Sequence, residues 1–431
     1  ATRKGATMRT LRRCACVPIT AGVLVLPIWF APEPALAQPP EPEPAFVLFI
    51  VDELMHDDNL FRVPHESVNN PSLRPIEHVE DYANQLTVGA RARLQSGRQT
   101  LRVAARVSDV QFHRNDQLDY TGGQANLALD WELGSRLSGR VLGDYRRSLA
   151  SYTNYRFFER DIVEAIDGAL ETRIGIGPRF ALLSSVRARQ TDHSDPERRS
   201  ENFESDAASV GLEYAPSQTK RFALEYRYLQ GDFPNSLEPS GPSTRDRSYE
   251  ETLVRLRTEY ALTAKLRLSG NVGALARDYA SHAVTEDYSG SVWETTLAWQ
   301  PRAKLGFELS AWRQLKAYVD AESDYFIARG VSFGPTWAPT NKLRIAFEYF
   351  HEEQDYIGKP TLASEPDADG SVVISDDGRR DDVDIARISA SYAPRDFLEL
   401  DLTWACIDRG SNRAHHDYDA RVASVAVRFV F

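Results

Sequence analysis

Trp337-Ala338-Pro339-Thr340-Asn341-Lys342-Leu343-Arg344-Ile345-Ala346-Phe347-Glu348-Tyr349 reads as a tight turn running straight into a strand. From Leu343 onward every second residue is apolar. Leu343, Ile345, Phe347 and Tyr349 share one face, and Arg344, Ala346 and Glu348 share the other. A period of two with such unlike faces belongs to a strand that has a greasy side and a wet side.

The same grammar recurs in Phe397-Leu398-Glu399-Leu400-Asp401-Leu402-Thr403-Trp404, in Val254-Arg255-Leu256-Arg257 and in Leu266-Arg267-Leu268-Ser269. It returns in Phe222-Ala223-Leu224-Glu225-Tyr226-Arg227 and Leu101-Arg102-Val103. The segments run to about ten residues, the length a tilted strand needs to cross a bilayer. A soluble sandwich also alternates, so no single strand decides between the two.

The turn decides. An aromatic residue followed within a few positions by Pro and then Lys or Arg appears as Tyr214-Ala-Pro-Ser-Gln-Thr-Lys220, Trp299-Gln-Pro-Arg-Ala-Lys304, Trp337-Ala-Pro-Thr-Asn-Lys342 and Tyr392-Ala-Pro-Arg395, with a Pro-less copy at Tyr260-Ala-Leu-Thr-Ala-Lys265. Successive aromatics are 46, 39, 38 and 55 residues apart, room for an outgoing strand, a polar segment and a returning strand. The repeat therefore marks one end of successive hairpins, with the aromatic at a lipid interface and the turn in water beyond it. Long charged stretches such as Gln190–Ser205, Gly231–Tyr249 and Glu352–Val383 alternate with these turns. Short turns at one end and long loops at the other are the asymmetry of an outer-membrane barrel. The expected fold is all-β, a transmembrane antiparallel barrel of about eighteen strands over residues 45–431, with short periplasmic turns and long extracellular loops. The final strand, Arg421–Phe431, sends Ala423, Val425, Val427, Phe429 and Phe431 outward. An aromatic carboxy-terminal residue on such a strand, here Phe431 with Phe429 behind it, resembles a barrel assembly signal.

The beginning of the chain fits export. Arg9, Arg12 and Arg13 precede an apolar run from Val17 to Phe30, and Ala35-Leu36-Ala37 supplies a small-residue cleavage pattern, so residues 1–37 read as a signal peptide. Arg12-Arg13 alone does not make a twin-Arg signal, because Cys14-Ala15-Cys16 follows it. Residues 38–44, rich in Pro and Glu, read as an extended linker. Of the three cysteines only Cys406 lies beyond the signal, which leaves no intramolecular disulfide and no Cys-based zinc site. The whole chain carries a net charge of −11, and removing the five cations and Glu33 of the signal makes the rest four units more acidic. That balance argues against nucleic acid as a partner. No later stretch is long and apolar enough for a helical span.

Asp52-Glu53-Leu54-Met55-His56-Asp57-Asp58-Asn59-Leu60-Phe61-Arg62-Val63 resembles the opening of the EpsL-type outer-membrane β-barrel porins, with the match centred on Asp57, Asp58, Asn59, Leu60, Phe61 and Arg62. The family is associated with exopolysaccharide biosynthesis and export. The resemblance implies an exopolysaccharide as cargo and periplasmic polysaccharide export components as partners, and it supplies no catalytic residue. The apolar run Ala45–Val51 departs from the alternating first strand the family leads one to expect. From the residues themselves, Asp57, Asp58 and Asn59 are expected to cap a turn where the first strand ends.

Nothing in the sequence marks an enzyme, a cofactor or a metal centre. His415-His416-Asp417 is the densest cluster of its kind, but no Ser stands in a nucleophile motif and no His-Glu-x-x-His occurs, so the cluster reads as a solvated loop. Asp367, Asp369, Asp376, Asp377, Asp381 and Asp382 lack the twelve-residue calcium-loop pattern and read as an extracellular loop facing lipopolysaccharide. The informative chemistry lies opposite the apolar faces. If those faces meet lipid, then Arg102, Arg106, Glu225, Arg227, Arg255, Arg257, Glu259, Arg267, Arg344, Glu348, Arg387, Glu399, Asp401 and Arg428 line the interior. Two outcomes stay open: these charges pair and fill a closed interior, or they form a selectivity lining for hydroxylated or acidic sugars. The expectation is a pore in exopolysaccharide export, with an uptake porin or a plugged structural barrel as alternatives. Its further partners are outer-membrane lipid, lipopolysaccharide and the barrel assembly machinery.

Overall fold

The computed structural model describes residues 45–64, 77–153, 158–235, 246–280, 287–317, 325–357, 378–413 and 416–431. The signal, the linker, His415 and the loop acids from Asp367 to Asp377 lie outside the described residues. The strands in chain order are β1 (Phe46–Asp57), β2 (Asp81–Ser96), β3 (Gln99–Phe112), β4 (Tyr120–Leu133), β5 (Leu137–Leu149) and β6 (Ile162–Gly175). There follow β7 (Phe180–His193), β8 (Phe203–Ser217), β9 (Lys220–Asp232), β10 (Tyr249–Thr263), β11 (Leu266–Tyr279) and β12 (Tyr288–Arg302). The last third holds β13 (Leu305–Ala317), β14 (Tyr325–Thr340), β15 (Leu343–Ile357), β16 (Arg380–Arg395), β17 (Leu398–Ser411) and β18 (Tyr418–Val430).

Each strand pairs antiparallel with its sequence neighbours, and β1 pairs with both β2 and β18, so the eighteen strands close on themselves without an edge. Phe431 completes the seam, its amide donating to the Leu48 carbonyl at 2.8 Å while the Leu48 amide donates to the Phe431 carbonyl at 3.2 Å. Closure satisfies the backbone of every strand internally, which is the condition for crossing hydrocarbon. The outer face is apolar: Leu48, Leu86, Val107, Leu127, Leu170, Leu224, Val254, Val272, Leu402 and Phe429 are all exposed. A closed, even-stranded antiparallel barrel with such a belt is a bacterial outer-membrane protein.

The repeated turns lie at one end, as the sequence leads one to expect. Tyr214, Trp299, Trp337 and Tyr392 stand outward on the last paired positions before a bulge that leads into the turn, and Trp299 and Trp337 are about half exposed. The register slips at Tyr214/Ser217, Trp299/Arg302, Trp337/Thr340 and Tyr392/Arg395, so each Pro occupies a bulge, where its missing N–H breaks no ladder. The lysines of the repeat join neighbouring turns. Lys265 Nζ donates to the Pro301 carbonyl at 2.8 Å, Lys304 Nζ to Pro339 at 2.8 Å and Lys342 Nζ to Pro394 at 2.7 Å.

Two expectations need correcting. The run Ala45–Val51 does not break the alternation of β1. Phe46, Leu48 and Ile50 are exposed outside, while Val47 is buried and Phe49 and Val51 half-buried inside. An interior that also takes apolar residues masks the period of two in the sequence. Strands are also longer than about ten residues, 12 to 16 in β1, β2, β14 and β16, because they continue above the lipid belt at the long-loop end. Gln190–His193 accordingly belongs to β7, and only the remainder of Gln190–Ser205 up to Asn202 is loop, with a short 3-10 turn at Pro196–Glu201.

At that end loops pack inward. Phe61, from the β1–β2 loop, meets the rings of Tyr152 and Phe158 at 4.8 and 5.6 Å. These join Val63, Val110, Leu118 and Ile162 in one apolar cluster. The Thr153 carbonyl beside it accepts from Arg409 Nη1 of β17 at 2.6 Å. Asp57–Arg62 forms the knot that aims Phe61. The Asp57 carboxylate accepts from the Asn59 amide at 2.9 Å and from both Arg62 terminal nitrogens at 2.8 and 2.7 Å. The Asn59 side chain donates to the Val63 and Asp419 carbonyls and accepts from the Val63 amide, each at 2.9 Å. Arg62 takes a left-handed backbone (φ 55°) to close this turn.

Candidate functional site: the inner wall

Strand parity fixes which side chains can reach the interior. Because the exposed apolar residues of each strand face outward, residues at the alternate positions face inward. By this parity the fourteen charged residues expected inside occupy inward positions, and a few of them stand directly opposite one another. Arg255 opposes Glu225, Glu348 opposes Arg387, Glu399 opposes Arg428, and Asp401 opposes Ser391.

Most of them are paired. Glu225 is buried and takes Arg255 Nη2 at 2.9 Å and Arg257 Nη2 at 2.8 Å. Glu251, also buried, takes Arg227 Nη2 at 2.5 Å and Arg277 Nη2 at 2.6 Å. Arg102 and Arg140 share Asp130. Arg387 holds Glu348 at 2.8 Å, Arg428 holds Glu399 at 3.0 Å, and the Ser391 hydroxyl donates to Asp401 at 2.5 Å. The charges of Arg255 and Arg257 are therefore tempered by the carboxylate they share. Arg267, Arg344 and Glu259 have no hydrogen bond or ion pair among the described residues.

A second group stands apart. Gly89, Arg106, Gln124 and Arg146 are cross-strand partners in a single row over β2 to β5, and Phe49 of β1 begins it. Arg106 and Arg146 make no hydrogen bond or ion pair among the described residues, although Arg106 lies within electrostatic reach of Arg146, Arg428 and Glu53. Arg91, on the adjacent inward row, is equally unpartnered and exposed. Since barrel strands tilt by about 35–45° from the axis, a row perpendicular to the strands is inclined, climbing from Phe49 near the short-turn end toward Arg146 near the long-loop end. At about 4.8 Å per strand, Arg106 and Arg146 stand about 10 Å apart along the sheet, as do Phe49 and Arg106. A guanidinium without a carboxylate offers its whole planar fork of donors to whatever passes.

No family model matches the chain, and no curated protein matches it. Among solved structures, the outer membrane protein OpdK of Pseudomonas aeruginosa aligns over 90% of this chain and 98% of its own, at 11% identity and a TM-score of 0.45. OpdQ of the same organism aligns over 90% and 97%, at 10% identity and a TM-score of 0.47. OccAB3 of Acinetobacter baumannii aligns over 90% and 98%, at 10% identity and a TM-score of 0.45. So distant a likeness assigns no cargo.

Sequence reasoning named Arg106 but not Arg91, Arg146, Gln124 or Phe49. Arg91-Ala92-Arg93-Leu94 carries the alternation plainly, whereas Arg146-Arg147 puts one arginine on each face. Only the register tells them apart: Arg146 opposes Gln124 inside, while Arg147 pairs outside with Glu164 at 2.9 Å. Asp52 was also missed. It is exposed on the outer face, flanked by Ile50 and Leu54 along β1 and by Leu86 and Val427 across it.

Two buried polar knots brace the long-loop end. Asp381 takes Arg379 Nη2 at 2.7 Å and Arg409 Nη2 at 2.5 Å, and Arg409 also donates to the Tyr356 hydroxyl at 2.7 Å. Asp161 takes His193 Nδ1 at 2.6 Å, Arg198 Nη1 at 2.9 Å and the Asp195 amide at 3.1 Å. Burial alone would raise the Asp161 carboxyl, but these hydrogen bonds and the His193 and Arg198 charges hold it below the usual carboxylate value.

Proposed function

We propose that the protein is a passive, substrate-selective outer-membrane channel that favours small hydrophilic anions, most simply as an uptake porin. The observation that carries this reading is the neighbouring group of unpartnered arginines, Arg91, Arg106 and Arg146, to which Arg267 and Arg344 add elsewhere, on an inner wall where many other arginines are neutralised by carboxylates. Eighteen strands enclose enough width for an aqueous lumen. Weak, water-exposed contacts suit a conduit, because a cargo held tightly would not leave. The test is conductance of the purified protein in planar bilayers under a potassium chloride gradient. A reversal potential favouring chloride is expected. An absence of conductance, or cation preference, would overturn the reading.

A second reading is passage of an exopolysaccharide, with periplasmic export components as partners. It is supported by the resemblance at Asp57–Arg62, residues that build the knot beside the mouth. Loss of polymer secretion on deleting the gene, with normal growth on small acids, would favour it over uptake. Lipopolysaccharide around the outer face, and an assembly machinery that reads Phe429 and Phe431, complete the proposed set of partners.

A further inference from the structure

The row described above is not purely cationic. At Gly89 an added Cβ would stand 2.3 Å from Phe49 Cζ and 2.9 Å from the Ala105 carbonyl oxygen, closer than a real Cβ comes to either atom. The Phe49 ring therefore reaches from β1 over Gly89 of β2, whose partner on the other side is Arg106 of β3. Glycine is required here because the ring occupies the place of a side chain. Phe49 is half-buried and keeps part of its surface open to the lumen. Beyond Arg106 the next partner is Gln124, whose amide both donates and accepts, and then Arg146.

We propose that this row is a binding track for sugar acids, hydroxylated rings that carry a carboxylate, and this inference rests on the anion-channel reading above. The apolar face of the ring packs on Phe49. Its carboxylate meets the free fork of Arg106, and its hydroxyls meet Gln124. Arg146 takes the carboxylate at the next step, about 10 Å on, so that the solute moves from the hold at Phe49 and Arg106 to a second, purely polar one. A neutral sugar would lack the charge contact, and a short acid such as acetate would lack the ring contact.

The probe is sodium glucuronate added to single channels at low salt, with glucose, acetate and benzoate as comparisons. Concentration-dependent interruption of the current by glucuronate is expected, well below the concentrations at which glucose or acetate acts. Arg106→Gln with Arg146→Gln should abolish the interruptions. Phe49→Leu, which keeps an apolar group over Gly89 and so protects folding, should weaken them by about five- to tenfold. Glucuronate and glucose acting alike, or glucuronate acting unchanged on both variants, would overturn the assignment. Benzoate acting as strongly as glucuronate would overturn it in favour of flat aromatic acids. Chloride preference without any glucuronate effect refutes this inference alone, whereas a wild-type channel without anion preference refutes the reading beneath it.

Discussion

Replacing Arg106 and Arg146 by Gln together tests the charge logic of the wall most directly. An ion passing about 5 Å from one guanidinium in a water-filled lumen feels about 0.8 kcal/mol, and about 0.4 kcal/mol from a second one about 10 Å away. Removing both costs a passing anion about 1 kcal/mol and relieves a cation by as much. The local anion-to-cation ratio thus shifts by about 2 kcal/mol, roughly thirtyfold. The row spans only part of the path, so a two- to fivefold fall in the measured chloride-to-potassium permeability ratio is the order of magnitude to expect at about 10 mM salt, where the Debye length is about 30 Å. At about 1 M salt the length falls to about 3 Å and the difference between variant and wild type should vanish. Because neither arginine has a hydrogen bond or ion pair among the described residues, the heat-modifiable mobility of the folded barrel should not change. Reversal potentials in planar bilayers supply the ratio. An unchanged ratio at low salt, with the barrel correctly folded, would refute the claim that these side chains govern selectivity.

Three further outcomes follow from other parts of the molecule. Deleting Phe431 removes both backbone hydrogen bonds to Leu48 at the seam, so outer-membrane levels should fall sharply, whereas Phe397→Ser in an exposed turn should leave them near normal; equal levels on immunoblots would count against a role for the carboxy terminus in assembly. Asp52→Leu should raise the unfolding temperature in detergent-free vesicles, since a carboxylate on the lipid face costs up to about 2 kcal/mol, and a lower temperature would mean that this face does not meet lipid. The depressed carboxyl of Asp161 stabilises the fold fully above its unfolded value of 3.8, and that contribution is lost as pH falls through the lower folded value. Asp161→Asn should therefore speed hydrogen exchange, corrected for intrinsic rate, over Pro196–Glu201 at pH 7, with the difference shrinking once the pH falls through the lowered folded value; equal protection in both proteins at pH 7 would refute the bracing role.

The barrel was legible because lipid imposes a rule the sequence must obey on every strand. Leu343–Tyr349 and Phe397–Trp404 show it without tertiary information, and the aromatic-Pro-Lys turns give the spacing of the hairpins. The rule fails where both faces are apolar, as at Phe46–Val51, and where strands leave the membrane, as at Gln190–His193. The inward charges were legible for the same reason, as parity follows from the apolar face. Their pairing was not. Glu225 meets Arg257 from a diagonal position on the neighbouring strand, and Glu251 gathers Arg227 and Arg277 from either side, contacts set by register and tilt. The row from Phe49 to Arg146 draws one residue from each of five strands, so no local pattern announces it.

That row has a mechanical consequence. From β1 to β5 it advances four of eighteen strand spacings, so an object that keeps contact with it while moving along the axis also swings through roughly 80° of the circumference. Transit becomes a screw motion. A single small acid can make that turn freely by stepping from hold to hold, but a linked polymer could follow it only by twisting about its own length. The torsional stiffness of a cargo, as much as its charge, would then decide how fast it passes.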